Sequence, residues 1–266
     1  MKSIYLCTLC LLSSAIAHAT PPPVGARVVD VYDGDTVTLS TGDKVRLRWV
    51  NTPELNPPEA YGVEAREAAR ALVLNQPVEL ITGASARDGY GRLLAGVRTE
   101  DKDLSMHLTE LGLAHVFIIP PDDTDLRPLL DAQARAQKAR RGIWSNPRYQ
   151  GDLHITSFHA NAPGDDNANI NGEYLRLCNI STETIDIQGY RITDLHGNAW
   201  EFPPLLIPAG HTVKVHSGTG LNQVDSAAQL SIYLGSVTPI WNNRRDQATI
   251  YDRFGEVVDS RLHEVQ

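Results

Sequence analysis

Three short runs near the start of the chain, 26–32, 35–40 and 43–50, alternate apolar and polar residues, and that period of two predicts three β-strands. In the second run Val37 and Leu39 alternate with Thr36, Thr38 and Ser40. In the third, Val45, Leu47 and Trp49 alternate with Lys44, Arg46 and Arg48. From 62 to 75 the period changes: alanines and leucines are spaced for one apolar helical face, with glutamates near the start. Runs 77–83 and 92–98 return to strand patterning. Two further helices are predicted over 103–113, opened by Asp103 as its cap, and over 124–144.

Five short strands with interposed helices predict an α+β domain over 24–147, a five-stranded OB-fold barrel with three helices. Past residue 152 the helical period is lost. Alternating runs at 153–158, 172–180, 185–192, 211–217, 247–255 and 256–262, separated by turn signals, predict an all-β sandwich over 152–262. The Asp- and Asn-rich stretch 160–172 reads as a solvated loop.

Composition refines this picture at three points. The first 19 residues combine Lys2, an apolar run from Ile4 to Ala17 and the small-x-small site Ala17-His18-Ala19. They read as a signal peptide cleaved after Ala19, so the protein is expected to be exported, to the periplasm or the medium. No later run approaches the length of a membrane span. Cleavage removes Cys7 and Cys10, and the remaining Cys178 has no partner for an internal disulfide, so a buried apolar role is expected for it. The whole chain carries a formal charge of −8. Residues 20–148 hold 16 Lys+Arg against 18 Asp+Glu, and 149–266 hold 7 against 14. The second segment would repel phosphate, whereas the first is close to neutral.

The chemistry concentrates in `DGDTVTLSTGDKVRLRWVNTPE`, Asp33 to Glu54. Asp33 and Asp35 flank Gly34, so an extended backbone aims both carboxylates to one side. Two adjacent acids repel unless a cation neutralises them. Thr52 precedes a proline and is held extended, which can turn its carbonyl outward, and Asn51 adds an amide oxygen. This oxygen-only set suits calcium better than zinc. Glu54 is placed to activate water, and Arg46 offers a planar guanidinium for a phosphate. In `RDGYGRLLA`, Tyr90 and Arg92 enter a strand from a Gly-rich turn, and a second guanidinium suits the charge that phosphoryl transfer places on oxygen. The set amounts to phosphodiester hydrolysis.

Residues 26–145 resemble the staphylococcal nuclease (thermonuclease) family through `DGDTV`, `VRLRWVNTPE`, `YGVEA`, `RDGYGRLLA`, `LTELGLAHV` and `GIWS`. The resemblance implies a calcium-dependent nuclease that cleaves DNA and RNA to products carrying 3′-phosphates. It implies Asp35 and Asn51 as metal ligands with the Thr52 carbonyl, and Asp33 as support for that site. Glu54 would orient or deprotonate the attacking water, Arg46 and Arg92 would bind the scissile phosphate, and Tyr90 would contact substrate. Three departures stand out. Asn51 replaces the family's second metal-binding aspartate, so weaker or altered metal binding is expected. `GLAHVFIIPP` lacks the two tyrosines of the family's base platform, and Gly89 replaces a lysine. The `ELNPPEAYG` loop is also shorter. Residues from about 152 to 262 resemble the lamin-tail domain, an immunoglobulin-like sandwich, through `NGEYLRLCNIS`, `IDIQGYRITDLHGNAWEFPP` and `IWNNRRDQATIYDRFGEVVDS`.

The expectation is an exported, metal-dependent nuclease acting on DNA and/or RNA as a monomer, with an envelope or macromolecular partner open to its second domain. The alternative is a noncatalytic nucleic-acid or protein-binding module, or an envelope protein acting mainly through its β-sandwich. Keeping Arg46, Glu54 and Arg92 together favours catalysis, because a pure binder has no need of that trio. Trp200 and Trp241 are expected to pack in the core. His154, His159, His196, His211 and His216 have no zinc-like spacing.

Overall fold

The computed structural model describes residues 25–120 and 125–265; the expected leader, with Cys7 and Cys10, lies outside them. The first alternating runs become β1 (Val28–Val31), β2 (Thr36–Leu39) and β3 (Lys44–Leu47). The third stops short of its pattern. At Trp49 the backbone turns to φ 67°, and β4 (Val50–Asn51) leaves the sheet. α1 (Gly62–Val73), β5 (Glu79–Arg87), β6 (Leu93–Arg98) and α2 (Leu104–Glu110) follow, then β7 (His115–Val116), which pairs with β4, and α3 (Arg127–Lys138). Asp103 caps α2 by accepting the Met106 N–H at 2.9 Å. The segment predicted as the end of the third helix is instead a 3₁₀ turn at Gly142–Ser145, because Arg140 and Gly142 both take positive φ.

Five strands form one sheet in the order β1-β2-β3-β6-β5, with β3 and β6 parallel. Among the described residues isolated bridges join Arg27 to Pro77, just before β5, and Val28 to Leu74, at the end of α1. Val37, Leu39, Val45 and Leu47 bury one face of it against α1 and α2.

The second domain comprises β8 (Leu153–His159), β9 (Tyr174–Asn179), β10 (Ile185–Asp186), β11 (Arg191–Thr193) and β12 (Ala199–Glu201). After these come β13 (Leu206–Ile207), β14 (Thr212–His216), β15 (Leu230–Tyr233), β16 (Arg245–Tyr251) and β17 (Val257–Glu264). Two four-stranded sheets, β15-β14-β9-β8 and β12-β11-β16-β17, share one apolar core, with β10 and β13 paired beside them. Trp241 is buried in that core with its ring centroid 4.9 Å from Phe158. Among the described residues no helix is long and apolar enough to cross a membrane.

The two domains are joined by a built interface. Ile118 donates its N–H to Gly210 at 2.8 Å, and its carbonyl accepts from Thr212. The buried Gln133 of α3 accepts the Val116 N–H and donates to the Ile180 carbonyl. Ile143, Trp144 and Tyr149 pack on Cys178 and Ile180, and the buried Cys178 thiol is pushed up in pKa by desolvation. Just past the packed aromatics, Asp259 is fully buried and accepts the Ile155 and Ser260 N–H groups at 2.8 Å. Arg148 Nε lies 3.1 Å from it. His154 Nδ1 lies 2.8 Å from Asp259 Oδ2.

Burial raises the Asp259 pKa, but His154 and Arg148 outweigh it and hold the carboxyl below the usual range. A depressed carboxylate stabilises the fold above its unfolded pKa, near 4, and that stability is lost as pH falls through the folded value. The unfolding midpoint is therefore expected to drop steeply below about pH 4, and less steeply in Asp259→Asn, as read by thermal melts across pH 3–6.

Candidate functional site

The turn between β1 and β2 places Asp33 and Asp35 side by side, both buried. Asp33 Oδ1 accepts the Asp35 N–H at 3.0 Å, which shapes the turn. Asp35 Oδ2 accepts both the N–H and the hydroxyl of Thr52, at 2.8 and 3.0 Å, so the extended residue before Pro53 is tied to the acid pair. Gly34 allows this approach. A Cβ there would lie 2.7 Å from Thr52 Cγ2 and 2.8 Å from the Ala65 methyl.

Arg46, from the middle strand, spans the corner. Its Nη1 donates to the carbonyls of Leu47 and Val50 at 2.7 and 2.9 Å, and its Nη2 donates to Asn51 Oδ1 at 2.8 Å. Nε faces Asp35 Oδ1 at 3.2 Å. Of five guanidinium N–H groups, these contacts leave one on Nη2 for another partner. Phe117 lies beside it, with its ring centroid 6.0 Å from Cζ.

The corner holds more negative charge than Arg46 balances. Burial, then Asp35, push Asp33 up to about 7, against the lowering effect of Arg46. Glu54 is raised by burial first and by Asp35 second, with Arg46 again opposing, so its carboxyl sits within electrostatic reach of both. A hard cation is the countercharge this set of oxygens lacks, and the donor chemistry fits one: Asp35, the Asn51 amide oxygen and the Thr52 carbonyl, with Asp33 behind. Among the described residues no three His, Cys, Asp or Glu side chains are grouped as ligands. Neutral oxygens would have to complete the set. The Arg46 guanidinium already spans Asp35 and Asn51, and a cation entering between them competes with it.

Arg92 lies apart from this corner. Arg46 pairs in register with Leu94, so continuing the register puts Arg92 on the same sheet face, one strand over. Its Nε, however, is bound to Asp88 Oδ2 at 2.7 Å, and Tyr90, largely exposed, lies 5.5 Å from its Cζ. The structure thus unites Asp35, Arg46, Asn51, Thr52 and Glu54, and places Arg92 and Tyr90 along the same face. Three of the histidines noted in the sequence fall elsewhere: His154 stacks on Tyr149 at the domain junction, His159 on Tyr174, and His216 on Tyr233.

Glu59 has no local signal in the sequence, yet it grips the main chain of Glu54 from both sides. Its Oε2 accepts the Glu54 N–H at 2.9 Å and its own N–H donates to the Glu54 carbonyl at 2.8 Å. Its Oε1 accepts from Arg148 at 3.2 Å and forms an ion pair with Arg261, also at 3.2 Å. Partners 89 and 202 residues away leave no mark on spacing.

Fold and site together define a small sheet-and-helix domain with an acid–guanidinium corner, followed by an all-β domain. Residues 44–146 match the profile described as Staphylococcal nuclease homologue, and 146–263 match that of the Lamin Tail Domain. The chain is 33% identical over 127 residues to a thermonuclease of Staphylococcus hyicus, covering 45% of this chain and 75% of that protein. It is 35% identical over 121 residues to the thermonuclease of Staphylococcus intermedius, covering 43% and 72%. An uncharacterized endonuclease of Haemophilus influenzae is 29% identical over 150 residues, 54% of this chain and 80% of that one. The chain belongs to the staphylococcal nuclease family, with a lamin-tail domain after the nuclease-like one.

Gly34→Ala should cost about 1–3 kcal/mol, the usual range for overpacking, because Thr52 and Ala65 must both give way. Denaturant unfolding measures that loss.

Proposed function

We propose that this protein is an exported, calcium-dependent nuclease that hydrolyses phosphodiester bonds of DNA and/or RNA, leaving 3′-phosphates. The observation that carries this reading is the convergence of Asp35, Arg46, Asn51 and Thr52 on one corner, joined by hydrogen bonds and an ion pair, with Glu54 within electrostatic reach of Asp35 and Arg46. The family relationship supports it independently. Beneath the site we infer an OB-type barrel over 24–147, supported by the bridges that bring β1 back toward β5, and an immunoglobulin-like sandwich over 152–262. Export rests on the leader read from the sequence.

In this reading Asp35, the Asn51 amide oxygen and the Thr52 carbonyl hold calcium, with Asp33 in support. Bound there, the ion would supply a fixed positive charge for the non-bridging phosphate oxygens. Glu54 takes a proton from water as it attacks phosphorus. The P–O5′ bond breaks, the 5′ oxygen gains a proton, and the phosphate stays on the 3′ side. The remaining Nη2 hydrogen of Arg46 would donate to one phosphate oxygen. Arg92 joins it by exchanging Asp88 for phosphate, and Tyr90 flanks the substrate.

Digestion of plasmid DNA and RNA with calcium, magnesium or chelator tests this. Cleavage should need a divalent ion, vanish with Asp35→Ala, and fall by about 10²–10⁴-fold in Glu54→Gln, the range for lost general base catalysis. No cleavage by the wild type under any of these conditions would falsify the enzyme reading and leave the noncatalytic binding module. A titration separates the ligand role of Asn51: Asn51→Asp should lower the calcium concentration for half activity by restoring a charge, and an unchanged requirement removes Asn51 from the ligand set.

A further inference from the structure

The second domain touches the nuclease corner through a relay of charged side chains. At its far end, Asp259 is anchored by main-chain N–H groups of β8 and β17 and bound to Arg148. Arg261 of β17 donates through Nη1 to the carbonyls of Ile155 and Thr156, both at 3.0 Å, so its direction is set by the β-domain. Both arginines converge on Glu59 Oε1. The other oxygen of Glu59 holds the Glu54 N–H. Three members are well shielded, Asp259 being fully buried and Glu59 and Arg261 each exposing 13% of their side chains, while Arg148 exposes 31%. Charge-assisted bonds in so dry a setting are short-range and directional. The 54–59 loop is otherwise closed by a single main-chain bond, from the Glu59 N–H to the Glu54 carbonyl, and a bridge between Leu55 and Pro58.

We propose that the lamin-tail domain is a positioning element of the nuclease centre: Arg148 and Arg261 fix Glu59, and Glu59 fixes the main chain from which Glu54 projects. The inference rests on the reading of Glu54 as the group that handles the attacking water. Glu59 is a positioning residue and touches no substrate. The acidic β-domain therefore turns one of its few cations, Arg261, toward the site's own loop, and through Asp259 it holds Arg148 of the linker on the same target. Its role in the reaction is geometric.

The test uses the full chain, with Glu59→Ala, Glu59→Gln, Arg261→Gln and the double variant Glu59→Ala/Arg261→Gln. A misplaced general base costs turnover rather than binding, so Glu59→Ala should lower kcat by about ten- to a hundredfold with KM within about twofold of the wild type. Glu59→Gln keeps an acceptor for the Glu54 N–H and should recover most of that loss. The double variant should be no slower than Glu59→Ala alone, because both changes break one relay. Multiplying losses in the double variant, or a kcat for Glu59→Ala within about twofold of the wild type, overturns the proposal. Hydrogen exchange of the Glu54 amide gives a readout free of activity. Its protection should fall in Glu59→Ala and in Arg261→Gln, and unchanged protection in either also overturns the proposal. If the wild type cleaves nothing, the nuclease reading fails while the exchange measurement still decides the relay.

Discussion

A part-buried guanidinium held between an acid and an amide is the constraint around which the first domain is arranged. Arg46 binds Asp35, the Asn51 amide and the two carbonyls that frame the Trp49 bend. Removing one partner of such a corner strands charge in a low-dielectric setting, a penalty of roughly 3–5 kcal/mol. The neighbouring choices follow from it. The chain must leave the sheet at Trp49 for Asn51 to face Arg46, and β4 must find its partner in β7. Thr52 must stand extended to offer Asp35 two hydrogen bonds, and Pro53 holds it there. Gly34 must lack a side chain so that Thr52 can approach.

The same corner is electrostatically incomplete. Arg46 is the cation closest to Asp33, Asp35 and Glu54, and burial first, then the neighbouring acids, raise the carboxyl pKa values at Asp33 and Glu54. Such unbalanced acid groups cluster where a protein handles a charged ligand. Stability alone would favour fewer acids there, so the arrangement is better understood through chemistry than through folding.

The domain junction has a different character from a tether. Main-chain bonds at Ile118, a buried glutamine shared by Val116 and Ile180, and the Tyr149–His154 stack make it continuous with both cores. Interfaces between domains of one chain are commonly looser and more polar, which makes relative motion the default expectation. Here hydrogen bonds to the main chain resist it, and Glu59 carries the junction into the loop beside Glu54.

Much was legible along the chain because local chemistry dictates it. The period-two runs became β1, β2 and β3, Asp103 became a cap, and the acids around Gly34 met Thr52. What the pattern missed was non-local. The strands at 199–201 and 206–207 are too short to show a period, and the third run continues in pattern through a bend that only a positive φ at Trp49 reveals. Arg92 carries the right motif, yet its guanidinium lies on Asp88. The amino-acid sequence by itself determined which side chains the corner could use, since turn chemistry and strand alternation act over a few residues. Only the tertiary structure decided that Arg148 and Arg261 would reach Glu59, because that contact depends on how two separately cored domains close on each other.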